Sequence, residues 1–444
     1  MGYRKPGKTD VSSQGPFVAP SFNQSEQALP VTLPLRYMAL GLCAFLLFAC
    51  VLAWQVTRGV LFAPEAPSGV ALTHLLTLGA LMSFVMGAVY QLSTVAFLMR
   101  IVAVRLAHVL FYSYLLGLAG LIGSFSVWWP PGIGVFGVWT AVVLYGFCGN
   151  MLVSLFRTKA RGAMWRFVFL AHVHLALALT AAVALALGDA HVWRAVAAYQ
   201  AQILATHILL AAGGFFGFLI FGFSYKLIPM FTLAHGYDAR RERWAFWLSL
   251  TALWSLVAYI WFPLFALKLV SSCFTVFAFL AHLLAVRAIL RRRVRKRVEA
   301  PIRGVLMACA LGVLWACALA VRAPFFGDSA TWRVLVPFGI MGFVSLNVVS
   351  LTYKIVPFLV WTWQFAGGHR QGSHVLISHL LDPASARIVI GLNAFGVALV
   401  TLGVWMGSGW MCDLGAWALA VSLGIFGVHM SSVFIRALKK EEVS

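Results

Sequence analysis

Acidic side chains are what this sequence has least of. Twelve Asp and Glu stand against thirty-three Lys and Arg in 444 residues. All twelve (Asp10, Glu26, Glu65, Asp189, Asp238, Glu242, Glu299, Asp328, Asp382, Asp413, Glu441 and Glu442) fall outside the long apolar runs. Ion-coupled transporters and proton pumps ordinarily place a carboxylate within the membrane to bind or relay the ion, so the pattern argues against both. Cysteine is equally uninformative as chemistry. There are seven, with no CxxC spacing: Cys43, Cys50, Cys148, Cys273, Cys309 and Cys317 lie in apolar runs and Cys412 at the end of one. They read as small buried apolar residues, and neither a disulfide framework nor a thiolate metal site is signalled. Residues 1–36 are polar, lack the charged-then-apolar order of a cleavable signal, and are expected to form a disordered cytoplasmic tail.

Only 10% of the residues are charged and 62% are hydrophobic, which excludes a water-soluble globule. Runs of about 20 apolar residues, enough to cross ~30 Å of hydrocarbon, fall near 37–57, 70–97, 102–124, 132–156, 165–188, 200–230, 244–265, 268–287, 303–322, 333–359, 387–408 and 413–436. The predicted fold is all-α, a polytopic membrane protein of twelve spans forming one domain over 37–437, with a short tail at 438–444. Arg100, Arg105, Arg157, Lys159, Arg161, Arg166, Arg240, Arg241, Arg243, the run Arg291 to Arg297, and Lys439-Lys440 share one side. By the positive-inside rule both termini are cytoplasmic, as for a multi-pass protein of a bacterial-type inner membrane. The net charge of +21 is thereby a topology signal. The partners it implies are lipid headgroups around Arg291–Arg297 and the bilayer itself, with no nucleic acid.

The sequence also repeats itself. Tyr225 has Gly214 eleven residues before it, Gly222 three before, Lys226 after it and Pro229 four after. Tyr90 has Gly79 and Gly87 at the same offsets, and Tyr353 has Gly342, Lys354 and Pro357. Thr73-His74 opens the first stretch and Thr206-His207 the second, whereas Leu335-Val336-Pro337 stands at that place in the third. Three pseudo-repeated four-helix arcs follow, near 37–156, 165–290 and 303–437. The matched glycines read as close helix contacts. The Tyr225-Lys226 and Tyr353-Lys354 pairs read as snorkelling at the inner interface.

Histidine supplies the candidate chemistry. In a regular helix His74 would sit about 24 Å from Tyr90, near the outer end of the second span. His207 is placed likewise in the sixth, two residues further from its tyrosine, so the two should present different faces. His172 and His174 differ by ~200° around a helix and cannot grip one ion together. With His108, His282 and His429 they place five histidines in the inner half, where convergence would make a proton path or metal site. Asn150 and Asn347 are the polar residues of the fourth and tenth spans, suited to bonding a neighbour. Trp361, Trp363, His369, Arg370, His374 and His379 suit an interfacial loop segment.

Twelve spans in three sets, together with the stretch Thr206-His207 … Gly217-Phe218 … Phe221-Gly222 … Tyr225-Lys226 … Pro229, resemble subunit I of the heme-copper oxidase superfamily, most closely its cbb3-type oxidase and nitric-oxide reductase branch. As topology the resemblance covers the whole chain, and as motif the second and sixth spans. It implies heme b on His74, with His207 as ligand of a second heme or a copper ion; His172 and His174 are further metal candidates. It also implies other membrane or cytochrome subunits as partners. The departures are specific. The family's tenth-span His-x-His pair falls on Leu335 and Pro337, and the seventh span lacks the histidines of the second metal site. The expectation is a heme-binding relative, degenerate in its metal ligands, in electron transfer, gas sensing or respiratory-complex biogenesis. A cofactor-free transporter, channel or partner subunit and a divergent terminal oxidase or nitric-oxide reductase are the alternatives.

Overall fold

The computed structural model describes residues 29–59, 66–322, 334–366, 380 and 382–438. The tails, Asp10, Glu26, Glu65, Asp328, Lys439-Lys440, Glu441, Glu442 and the segment with His369, Arg370, His374 and His379 lie outside them. Twelve helices among the described residues are long and apolar enough to cross a membrane, so the chain has the build of a multi-pass membrane protein. They are α1 (Thr32–Thr57), α2 (Pro67–Phe97), α3 (Val104–Ser126), α4 (Pro130–Phe156), α5 (Ala163–Asp189), α6 (Arg194–Thr232), α7 (Arg240–Trp261), α8 (Phe265–Arg291), α9 (Ala300–Arg322), α10 (Val334–Gln364), α11 (Pro383–Met406) and α12 (Gly409–Leu438). No strand occurs among the described residues. Expectation and structure differ at the helix ends. Helix α1 begins at Thr32, inside the stretch expected to be tail, and α10 runs on through Trp361 and Trp363, which were expected in a loop. Snorkelling cations and interfacial aromatics let a helix extend past its apolar run.

Local chemistry sets several ends. Proline, which lacks an N–H and is preset for the first helical turn, opens α2, α4 and α11. Asp382 caps α11, accepting from the backbone N–H groups of Ala384 and Ser385 and from the Ser385 hydroxyl. Leu98 and Leu233, each eight residues after its tyrosine, end α2 and α6 in the left-handed region at φ 49° and 55°. Bulky residues avoid that conformation unless surrounding structure imposes it.

Three helices depart from α geometry at one place. Leu75–Met82 in α2, Leu209–Gly217 in α6 and Gly339–Ser345 in α10 are π-helical. Met82, Gly217 and Ser345 each stand eight residues before Tyr90, Tyr225 and Tyr353. The regular-helix spacing expected between His74 and Tyr90 therefore does not hold. A π turn shifts the carbonyl ladder, and in each case a side chain takes up a carbonyl. Tyr114 of α3 donates to Leu78 O at 2.7 Å, His174 of α5 bonds Gly214 O at 3.1 Å, and Asn347 donates to Phe343 O at 2.8 Å.

Helix α4 packs on α5, α8 on α9, and α12 back on α1, so the chain closes on itself. Helices α2, α6 and α10 pack on α1, α5 and α9 respectively, and the π segments of α6 and α10 touch. The frame glycines make these contacts close. A Cβ on Gly87 would stand 2.7 Å from Pro34 O of α1, and one on Gly222 would stand 2.8 Å from Phe167 Cβ of α5. Asn150 of α4 grips both backbone groups of Ala103, just before α3, at 3.1 Å.

Two predictions follow from this packing. Gly87→Ala and Gly222→Ala each lower stability by about 1–3 kcal/mol through overpacking, read as thermal unfolding in detergent. Gly123→Ala, which meets open space, leaves it unchanged or raised. At α11 the Ser385 hydroxyl, then the Ala384 and Ser385 N–H groups, hold the Asp382 carboxyl down to about 2. Its stabilisation is present above the ordinary carboxylate value and lost as pH falls through about 2. Asp382→Ala therefore lowers the unfolding temperature at pH 7, and Asp382→Asn, which can still cap, lowers it less.

Candidate functional site

His74 and His207 occupy equivalent places, at the junction where an α segment passes into the π segment of its helix. His74 directly precedes Leu75, and His207 lies one residue before Ile208, the last before Leu209. His74 bonds through Nδ1 to Val70 O at 2.9 Å, one turn back on its own helix, and its ring lies 4.6 Å from that of Phe125 on α3. His207 bonds through Nδ1 to Ala178 O of α5 at 3.0 Å. Beside it Trp261 donates its indole N–H to the Thr206 hydroxyl at 3.1 Å, tying α6 to α7. Both rings are half-buried. Neither Nε2 has a hydrogen-bond partner among the described residues. An Nδ1–H on a carbonyl fixes the tautomer that leaves the Nε2 lone pair available, the arrangement seen in metal-ligating histidines.

The remaining histidines go separate ways. His172 bonds Val168 O through Nδ1 at 2.7 Å and lies among the rings of Phe147 and Phe215, its buried Nε2 unpartnered. His174 serves the π segment of α6 and contacts Phe218 and Trp254. His108 lies near Arg36. His429 accepts from the Asp382 N–H at 3.2 Å and lies beside Tyr353. Among the described residues no three His, Cys, Asp or Glu come together to hold a metal, so the five do not gather into one cluster there.

The tyrosines that looked like interfacial anchors are core residues. Tyr90 and Tyr353 are fully buried and Tyr225 nearly so. Burial of a phenol favours a hydrogen-bond partner, and Tyr225 has one in His282 of α8, at 2.9 Å to Nδ1. Lys354 forms an ion pair with Glu299. Lys226, with Gln91 and apolar side chains of α2, α6 and α10, lines a cavity of about 50 Å³.

Two features escaped the sequence reading. Glu242 belongs to the first turn of α7 and is buried, because that helix begins at Arg240, four residues before the apolar run. Burial, and after it the Glu242 carboxylate, push the Tyr237 phenol up, and Tyr237 donates to Tyr225 O at 3.3 Å. The other is Cys309 of α9, grouped by sequence with the inert cysteines, whose Sγ stands 3.6 Å from His282 Nε2. No spacing links Cys309, His282 and Tyr225, which come from three helices, so no sequence signal could have joined them. Compared with known proteins, the chain matches no protein-family model and no curated protein.

Proposed function

We propose that the chain is a heme-binding protein of a bacterial-type inner membrane, with both termini cytoplasmic, and that His74 holds heme b, with His207 as ligand of a second heme or a copper ion. Its work is electron transfer, gas sensing or the biogenesis of a respiratory complex, beside other membrane or cytochrome subunits. The observation that carries the reading is the matched setting of the two imidazoles, each at the head of a π segment with Nδ1 on a backbone carbonyl and Nε2 unpartnered. The donor set suits the group, since neutral imidazoles are ordinary ligands of heme iron and of copper. A heme bound there would supply one-electron and gas-binding chemistry, and the apolar wall around Phe125 would tune its potential by excluding water.

In the same proposal the twelve helices are three repeated four-helix arcs related to oxidase and nitric-oxide reductase subunit I. The common offsets of the π segments, the left-handed leucines after α2 and α6, and the α4–α5, α8–α9 and α12–α1 contacts support the repeat. A complete binuclear centre is not part of it. Leu335, whose carbonyl accepts from Trp315 at 2.8 Å, and Pro337 stand where that chemistry needs histidines. The cavity beside Lys226 favours the second reading, a cofactor-free transporter or channel for a small neutral or anionic solute.

Absorption spectra of the purified protein, oxidised and dithionite-reduced, decide between the two. The expected result is a Soret band in protein made with ample heme, lost in His74→Ala and lost or shifted in His207→Ala. No Soret band under those conditions sinks the heme reading and leaves the transporter. Copper and iron content by mass spectrometry identify what His207 holds.

A further inference from the structure

We infer that Cys309 and His282, backed by Tyr225, form a binding site for one soft monovalent cation, Cu(I), inside the bundle between α6, α8 and α9. The site shares no residue with the His74–His207 pair. Cys309 Sγ and His282 Nε2 are 3.6 Å apart. Ligands at ~2.3 Å (sulfur) and ~2.0–2.1 Å (nitrogen) on opposite sides of a linear two-coordinate ion stand about 4.3 Å from each other, so the ion enters by parting the two atoms by about 0.7 Å. Thiolate and imidazole together select soft or borderline metals.

The surroundings hold the ring in place and shape the choice of ion. His282 lies flat against Phe221, centroids 3.8 Å apart and planes at 4°. On its other side Nδ1 meets the Tyr225 hydroxyl at 2.9 Å. When Nε2 gives its lone pair to a metal, Nδ1 carries the proton and donates it to Tyr225 Oη, the outer-shell bond that orients ligating histidines. Tyr225, His282 and Cys309 are all buried, at 4%, 0% and 1% exposure.

Charge then discriminates between metals. A net charge deep in a membrane protein is costly. One thiolate with one neutral imidazole balances a single positive charge, so Cu(I) gives a neutral site and Zn(II) leaves an uncompensated charge. Binding involves no redox step. The Cys309 thiol releases its proton to the carrier ligand that delivers the ion, an S–Cu bond and an N–Cu bond form, and copper stays in the +1 state throughout.

The test uses the full chain, titrated anaerobically with Cu(I) against a chromophoric Cu(I) chelator. The equivalent assigned to Cys309 and His282 should be present in the wild type and in the His74→Ala/His207→Ala double variant. Cys309→Ser and His282→Ala should each bind one equivalent fewer, and Tyr225→Phe should bind that equivalent about 10- to 100-fold more weakly. A variant keeping Cys309 as its only cysteine should show one sulfur and at least one nitrogen scatterer at copper in X-ray absorption, which serves if Cys309→Ser does not fold. Unchanged uptake in both Cys309→Ser and His282→Ala overturns the site and leaves a plain thiol–imidazole hydrogen bond. So does a single-cysteine variant without a copper–sulfur scatterer, or one that takes Zn(II) in preference to Cu(I). Because the double variant keeps this site, loss of the Soret reading does not touch it.

Discussion

Hydrocarbon offers backbone groups no hydrogen bonds, so every N–H and C=O in a spanning helix must find its partner within the protein. Much of this fold follows from how the chain meets that demand at three matched places where it breaks the α ladder. The π segments of α2, α6 and α10 shift their carbonyls out of register, and Tyr114, His174 and Asn347 meet one in each. Two of those three donors come from an adjacent helix, so the break in one helix becomes a bond between two. His174 thus has a structural role through Nδ1.

By the same accounting His74, His172, His174 and His207 each spend Nδ1 on a carbonyl. His74 and His207 spend one nitrogen each on a carbonyl and keep the other. His282 has both nitrogens engaged, on Tyr225 and Cys309. Position on the π junction distinguishes the first pair. A π segment is a common companion of functional sites because it re-aims neighbouring side chains without ending the helix.

Much of the architecture was legible in the residues, because a run long enough to cross a bilayer is a strong and local signal. All twelve apolar runs became helices, and the tyrosine-glycine frame marked the close contacts at Gly87 and Gly222. What stayed hidden was set by packing. Nothing in Leu75–Met82 announces π geometry, since its residues suit an α-helix equally well. Tyr225 and Lys226 looked like an interfacial pair because the run ends nearby, yet the phenol turned inward once α8 offered His282. Glu242 was read as peripheral since apolar content stops at Trp244, while the helix starts four residues earlier and carries the carboxylate under cover. The candidate pair His74 and His207 was visible as two residues.

Scarcity of acid, the first property of the sequence, acquires a sharper meaning from these placements. Among the described residues no carboxylate lies deep in the bundle, so any positive charge held there must be balanced by a thiolate or by the ligand itself. Heme iron brings its own dianionic macrocycle, so two neutral imidazoles suffice on the protein side. A bare Cu(I) needs one anionic ligand, and Cys309 is buried beside an imidazole. A divalent ion would need a second anion, and the nearest acid to Tyr225 on α7, Glu242, stays in the first turn of its helix. The lack of deep carboxylates therefore does more than argue against ion-coupled transport. It restricts the bundle to cofactors that arrive neutralised or carry a single charge.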